Sequence, residues 1–311
     1  GRTPRHGKRF FRICAREEHW SVNKKRTLIK KYRDKDQPLF LYQNAIGLSR
    51  KCWTEKSETV EDLTSWKKKI ESVLEVTPCY GYRKMTHALK RTGEVVNHKK
   101  IMRIMRLTGL KQKKRKFKPR TTDSRHKLRI FPNLIKTVIP LYPSHIWVND
   151  ITYVRLPNGF CYVAIVLDVY TRKVVGWSIA MHMEKELVIE ALEMALKVGT
   201  PMYHHSDRGG QYCATAYVKI LEDLGVKVSM ADTGVSVDNP FAESFNKTLK
   251  VEEVYLKNYQ NLEEARMSIN AFIADVYHTK RLHQSLNYQT PEEFSTQWNL
   301  QNPITSVQLT H

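Results

Sequence analysis

Between Phe160 and Val169 the chain reads F-C-Y-V-A-I-V-L-D-V, an apolar stretch whose one charge is Asp168. A strand with one face in water alternates polar and apolar residues. This stretch does not, so it belongs at the centre of a sheet with layers packed on both faces. Its surroundings fit. Trp147 to Leu156 reads as a preceding strand, Pro157-Asn158-Gly159 as the hairpin turn between the two, and Lys173 to Ala180 as a third strand. Glu184 to Val198 places Leu187, Val188, Ala191, Leu192 and Ala195 on one helical face and stops at Gly199. A short strand at Met202 to His205, a helix at Gln211 to Leu224 and a strand at Val226 to Met230 follow. Another helix starts near Pro240. Three strands in a meander, then alternating helix and strand, predict an α/β domain on a mixed five-stranded sheet.

The chain ahead of that domain differs in kind. Residues 1–140 hold 38 Lys/Arg against 12 Asp/Glu, a net +26, whereas residues 141–311 hold 14 against 19, a net −5. A charge of +26 on so short a segment exceeds what solubility asks for and points to a polyanion, nucleic acid first. The five cysteines, Cys14, Cys52, Cys79, Cys161 and Cys213, form no C-x-x-C pair, which fits reduced thiols in a cytoplasmic protein and gives a zinc site no support. No run approaches the roughly 20 apolar residues of a membrane span, and no secretory leader is visible.

Residues 1–36 carry 13 Lys/Arg with little apolar periodicity and read as a flexible or DNA-ordered arm; a short helical element lies within 37–54. Leu63, Trp66, Ile70, Val73 and Leu74 give residues 61–76 a helical stripe. A helix from Tyr82 to Lys90, a break at Thr92-Gly93-Glu94, and a second helix from His98 to Leu107 capped by Asn97 make a helix-turn-helix candidate. Its second helix turns Ile101, Met105 and Met102 toward the first helix. That leaves Lys99, Lys100, Arg103 and Arg106 for solvent or DNA. Seven of the ten residues 111–120 are basic: Lys111, Lys113, Lys114, Arg115, Lys116, Lys118 and Arg120. They suit a linker along a phosphate backbone, with a solvated charge run as the plain alternative. The expected divisions are 1–55 (basic arm and short helical element), 56–112 (helix-turn-helix), 113–140 (basic linker), 141–299 (α/β core with C-terminal helices) and 300–311 (tail).

Three carboxylates stand out. Asp150 lies inside a strand, where a charge is costly unless paired or bound to metal. Asp207 follows a short strand in H-H-S-D-R-G-G, a place for ligands in open sheets, although an aspartate there also forms turns. In D-N-P-F-A-E-S-F-N-K-T-L-K, Pro240 suits the first helical position with Asn239 as cap. Phe241, Phe245 and Leu249 form the apolar stripe of that helix. At ~100° per residue Glu243 falls on the opposite side, with Lys247 and Lys250 near it. An ordinary Glu–Lys surface pair would look the same. Two strand aspartates and a helix glutamate can also hold two Mg²⁺ or Mn²⁺ ions about 4 Å apart for phosphodiester displacement, with Lys247 and Lys250 gripping the phosphates.

The ordered series W-V-N-D-I-T-Y, L-D-V-Y-T-R-K-V-V-G-W, H-H-S-D-R-G-G-Q-Y and D-N-P-F-A-E-S-F-N-K-T-L-K resembles the DDE transposases of bacterial insertion sequences, of the IS-three type, second-frame product. Asp207 and Glu243 are separated by 35 residues, matching that family's D-D-35-E spacing. Y-G-Y-R-K with V-N-H-K-K-I-M-R-I-M-R-L-T-G-L resembles its helix-turn-helix, and Tyr277 to Leu286 with T-P-E-E-F at Thr290 its C-terminal signature.

The resemblance implies an RNase H-like integrase core with Asp150, Asp207 and Glu243 as catalytic, metal-binding triad. It implies cleavage and strand transfer at terminal inverted repeats and into target DNA, by a homo-oligomer assembled on double-stranded DNA. The chain is expected to be the catalytic portion, with a first-frame protein as possible partner, in a bacterial cytoplasm and away from membranes. Ala231-Asp232-Thr233-Gly234 departs from the basic stretch usual there, which predicts weaker basic contacts from that loop. The alternatives are a structure-specific DNA nuclease on the same fold and a domesticated DNA-binding protein.

Overall fold

The computed structural model describes residues 21–32, 39–49, 60–110, 128–232 and 239–303. The chain divides into two compact units, residues 1–66 and 67–311. In the first, α1 (Val22–Tyr32) and α2 (Leu39–Ala45) enclose Ile29, Tyr42, Ile46 and Leu48. The expected basic arm over residues 1–36 therefore contains a helix. Leu28, Ile29 and Tyr32 give it a narrow apolar face among lysines, enough once α2 packs on it.

After α3 (Val60–Val76) come α4 (Tyr82–Arg91) and α5 (His98–Leu107). Gly93 takes φ +89° in the turn between them, and the Asn97 side chain accepts from Lys99 N at 2.9 Å to cap α5. Ile101, Ile104 and Met105 are buried. The sequence assigned Met102 to that face and missed Ile104. From Ile101, residues 104 and 105 return to the same side of a helix while residue 102 lies ~100° away, and Met102 is exposed.

At the centre lies the five-stranded sheet β3-β2-β1-β4-β5, with β1 (Ile146–Leu156), β2 (Gly159–Asp168), β3 (Val174–Ala180), β4 (Tyr203–Ser206) and β5 (Lys227–Met230). β1, β2 and β3 pair antiparallel, and β4 lies parallel to both β1 and β5. The apolar stretch of β2 is covered on both faces as predicted. Cys161, Val163, Ile165 and Leu167 meet α8 (Pro240–Glu252) and α9 (Leu262–Ala271), while Ala164 and Val166 meet α6 (Lys185–Leu196) and α7 (Thr215–Asp223). α9 runs on into a π-helical turn at Phe272–Tyr277, and α10 (Pro291–Gln301) closes the described chain, opened by a Thr290–Glu293 capping box.

α6 lies directly on β3 at Gly176, where an added methyl group would overlap the Ala191 carbonyl oxygen and sit 2.7 Å from Ala195 N. Helix backbone cannot yield as a side-chain tip can. Gly176→Ala is therefore expected to cost at least ~1–3 kcal/mol, read by urea denaturation; unchanged stability would mean that α6 is not seated there.

The helix-turn-helix lies in the same unit as the sheet and is bonded to the chain's C-terminal segment. Tyr80 Oη accepts from Leu282 N at 2.7 Å, Arg91 Nη1 donates to Glu293 Oε2 at 2.9 Å, and His87 stacks on Tyr288 with ring centres 3.5 Å apart. No described helix is long and apolar enough to cross a membrane.

Candidate active site

The parallel ladder between β1 and β4 pairs Ile146 with Tyr203, Trp147 with His204 and Val148 with His205. The same offset continued two residues brings Asp207, just past the end of β4, level with Asp150 on the neighbouring strand, ~4.8 Å across. Asp150 leaves the sheet on the face that α8 covers, and Asp207 lies near enough for its charge to act on Asp150. Two carboxylates distant in sequence thus share one edge of the sheet.

Their hydrogen bonds fix both groups. Asp150 Oδ1 accepts from Ile151 N at 2.9 Å and Oδ2 from Asn246 Nδ2 at 2.8 Å. Asp207 Oδ1 accepts from Gly209 N at 2.9 Å, so the aspartate forms the turn as well as facing the edge. Asp150 is pushed up to about 7, first by burial and then by the Asp207 charge, against the two hydrogen bonds; the Glu243 charge adds the least. Asp168, the other acidic residue of the central strands, is different. Ser144 N, Tyr170 N and Thr171 Oγ1 all donate to it, so it holds the loop after β2 together.

Glu243 stands in the exposed first turn of α8, and burial nudges its pKa up. It lies one helical turn before Asn246 and within electrostatic reach of Asp150. Among the described residues no three His, Cys, Asp or Glu side chains converge closely enough to cage a metal ion. The structure thus joins Asp150 and Asp207 and leaves Glu243 beside them rather than in one cage with them.

α8 is pinned to β1 by two asparagines, Asn246, which sequence reading missed, and Asn239, which it read only as a cap. The ladder to β4 ends at Val148; just past it, the Asn149 carbonyl accepts from Asn239 Nδ2 at 2.6 Å. Asn239 does sit at the helix start, but its side chain makes this bond in place of the expected cap. Asn246 is buried, and its place three residues after Glu243 was the available signal. Beneath the edge, His204 Nε2 lies 2.7 Å from Asn149 Nδ2 and 3.0 Å from Tyr217 Oη; burial lowers its pKa to about 3, with the neighbouring His205 adding to the shift, so the ring stays neutral.

The basic candidates fall in three places. Lys99, Arg103 and Arg106 are exposed on α5 opposite its buried face, and Lys100 is half-buried. Lys247 is exposed on α8, whereas Lys250 is half-buried with its Nζ 4.3 Å from the Tyr153 ring centre. Burial lowers the pKa of Lys250 and the Asp150 charge works against that. Lys111, Lys113, Lys114, Arg115, Lys116, Lys118 and Arg120 lie outside the described residues.

Models of an integrase core domain match residues 141–236 and 224–291, and a model of an HTH-like domain matches residues 65–118. The chain is 38% identical over 225 residues to the "Insertion element IS600 uncharacterized 31 kDa protein" of Shigella sonnei, covering 71% of this chain and 82% of that one. It is 33% identical over 219 residues to the "Transposase for insertion sequence element IS904" of Lactococcus lactis subsp. lactis (69% and 87% covered) and 34% over 220 residues to "Transposase InsF for insertion sequence IS3A" of Escherichia coli (69% and 76%). Among solved structures, the HTLV-2 integrase catalytic core domain in complex with magnesium matches 50% of this chain and 99% of its own at 17% identity, with a TM-score of 0.42.

Proposed function

This chain belongs to the integrase-core transposases of bacterial insertion sequences, of the IS-three type, and on that premise we propose that Asp150, Asp207 and Glu243 are its catalytic triad. The observation that carries the reading is Asp150 and Asp207 at one end of the β1–β4 ladder, where burial first and the Asp207 charge second push Asp150 up to about 7. Two carboxylates that repel each other across an open edge are a donor set that a hard divalent cation completes. The residues therefore fit Mg²⁺ or Mn²⁺, with Asp150 and Asp207 as the preformed part and Glu243 joining from α8. Two such ions, when bound there, would supply activation of the attacking oxygen and stabilisation of the leaving oxygen in phosphodiester cleavage and joining.

The chain's own residues do the positioning. Asn246 fixes one Asp150 oxygen, and Gly209 N fixes one Asp207 oxygen. Lys247 and Lys250 flank the edge on α8 and hold the phosphates beside the reacting bond. Lys99, Lys100, Arg103 and Arg106, with the basic residues 111–120, bind DNA backbone. The DNA partners are the element's terminal inverted repeats and the target duplex, bound by a homo-oligomer, and a first-frame protein is a further candidate partner.

The test is strand transfer on candidate element ends with Mg²⁺. Glu243→Gln is expected to bind the ends as wild type does and to join none; joining at wild-type rate would remove Glu243 from the triad. For α5, Arg103→Ala is expected to weaken binding to all sequences alike and to lower the slope of log K against log salt by about 1. An unchanged slope in titrations over a range of salt would mean that Arg103 meets no phosphate.

A further inference from the structure

β1 runs on to Leu156 although its ladder to β4 ends at Val148. Along the open edge left there, β1, the start of β2, the end of α8 and the turn after it surround a cleft of about 630 Å³. Its lining joins the rings of Tyr153, Phe160 and Tyr255, with Tyr259 buried behind them, to the cations Arg155, Lys250 and Lys257. Phe160 is 44% exposed and meets Tyr153 edge-on at 5.4 Å, so the rings form a standing wall. Lys257 is matched by Glu253 at 3.0 Å, and Arg155 is exposed at the end of β1.

The cleft lies further along β1 from Asp150. Tyr153 is three residues beyond Asp150 on β1, about 10 Å along the strand, and Lys250 feels the Asp150 charge while lying over Tyr153. Ring faces between cations suit one kind of ligand on a DNA strand: a base turned out of its stack, with its phosphate held at the rim. A paired base offers no free face and would leave the rings unused. The volume lies in the range of small-molecule sites.

We propose that this cleft, walled by Tyr153, Phe160 and Tyr255 with Arg155 and Lys250 at its rim, binds an unpaired nucleotide next to the DNA position held at Asp150. The assignment rests on the DNA reading of the Asp150 edge and adds to it a preference for frayed ends. Whole protein with Mg²⁺ would be titrated with a short duplex of arbitrary sequence, either blunt or with a forked end carrying 2-aminopurine. Wild type is expected to bind the forked end about tenfold more tightly and to quench the fluorescent base. Tyr255→Ala, Phe160→Ala and Arg155→Ala are expected to lose that preference and the quenching, with blunt-end affinity kept. Phe160 and Arg155 are exposed on the hairpin, so at least these two variants keep the fold, checked by thermal melting. Equal binding of forked and blunt ends by wild type overturns the cleft assignment, as do variants that keep the forked preference. Binding of neither duplex overturns the DNA reading beneath it.

Discussion

Asp150→Asn is expected to lose strand transfer by about a thousandfold or more, the several kcal/mol that a metal-held transition state loses with one ligand. The same protein, freed of divalent cations, should melt above wild type near pH 8. The sign follows from the direction of the shift. Asp150 is raised to about 7 in the folded protein by burial, then by Asp207, against an ordinary value of about 3.9 in the unfolded chain. Its favourable contribution is therefore complete below about pH 4 and is lost as pH rises through about 7. Wild type should lose melting temperature between about pH 5 and about pH 8, and the asparagine variant should lose less. Added Mg²⁺ should reverse the order, since it binds the folded wild type and adds stability by mass action. Thermal melts at two pH values, with and without Mg²⁺, check all of this. A variant that melts below wild type near pH 8 without divalent cations would show that Asp150 is not raised in the folded protein.

Arg281→Met is expected to destabilise the second unit by ~3–5 kcal/mol. Arg281 Nε and Nη2 donate to the two oxygens of Glu252 at 2.8 and 2.9 Å, with both side chains about nine-tenths buried, and Nη2 also donates to Thr248 at 3.2 Å. Removing the guanidinium leaves a buried carboxylate at the end of α8. Lys84 of α4 senses both partners; burial, with Arg281 next, lowers it to about 8. Its presence should soften the loss without cancelling it. Arg281→Met with Glu252→Met should recover most of the stability, because an apolar pair of similar volume removes the stranded charge. Urea denaturation of the two variants decides the matter, and a double variant no better than the single one would mean that the pair is not isolated from its surroundings. Tyr80 bonds to Leu282, next to Arg281, so the single variant should also expose the α3–α4 connection to protease.

Much of this was legible along the chain. The β2 stretch, the Pro157-Asn158-Gly159 turn and the stripe of Leu187, Val188 and Ala191 gave strands and helices to within a few residues. Pro240 at the head of α8 and Asn97 at the head of α5 were read at their positions. The family resemblance, from four ordered motifs, was carried by the matching domain models and relatives. Other points needed the third dimension. α1 was hidden because its few apolar residues bury only against α2. Asn239 was read as a cap because caps are local, and its bond to Asn149 crosses to another strand. Asn246 looked like any polar helix residue until α8 lay on β1.

The sequence by itself determined the strands and helices of the sheet domain, most apolar faces and the family, because periodicity, turn chemistry and motif spacing act between near neighbours in the chain. Only the tertiary structure decided that Asp207 stands level with Asp150, that Asn246 reaches Asp150 across to β1, and that the helix-turn-helix is bonded to the C-terminal segment. Those facts depend on strand register and on hydrogen bonds between residues some 60 to 200 positions apart, which no local pattern encodes.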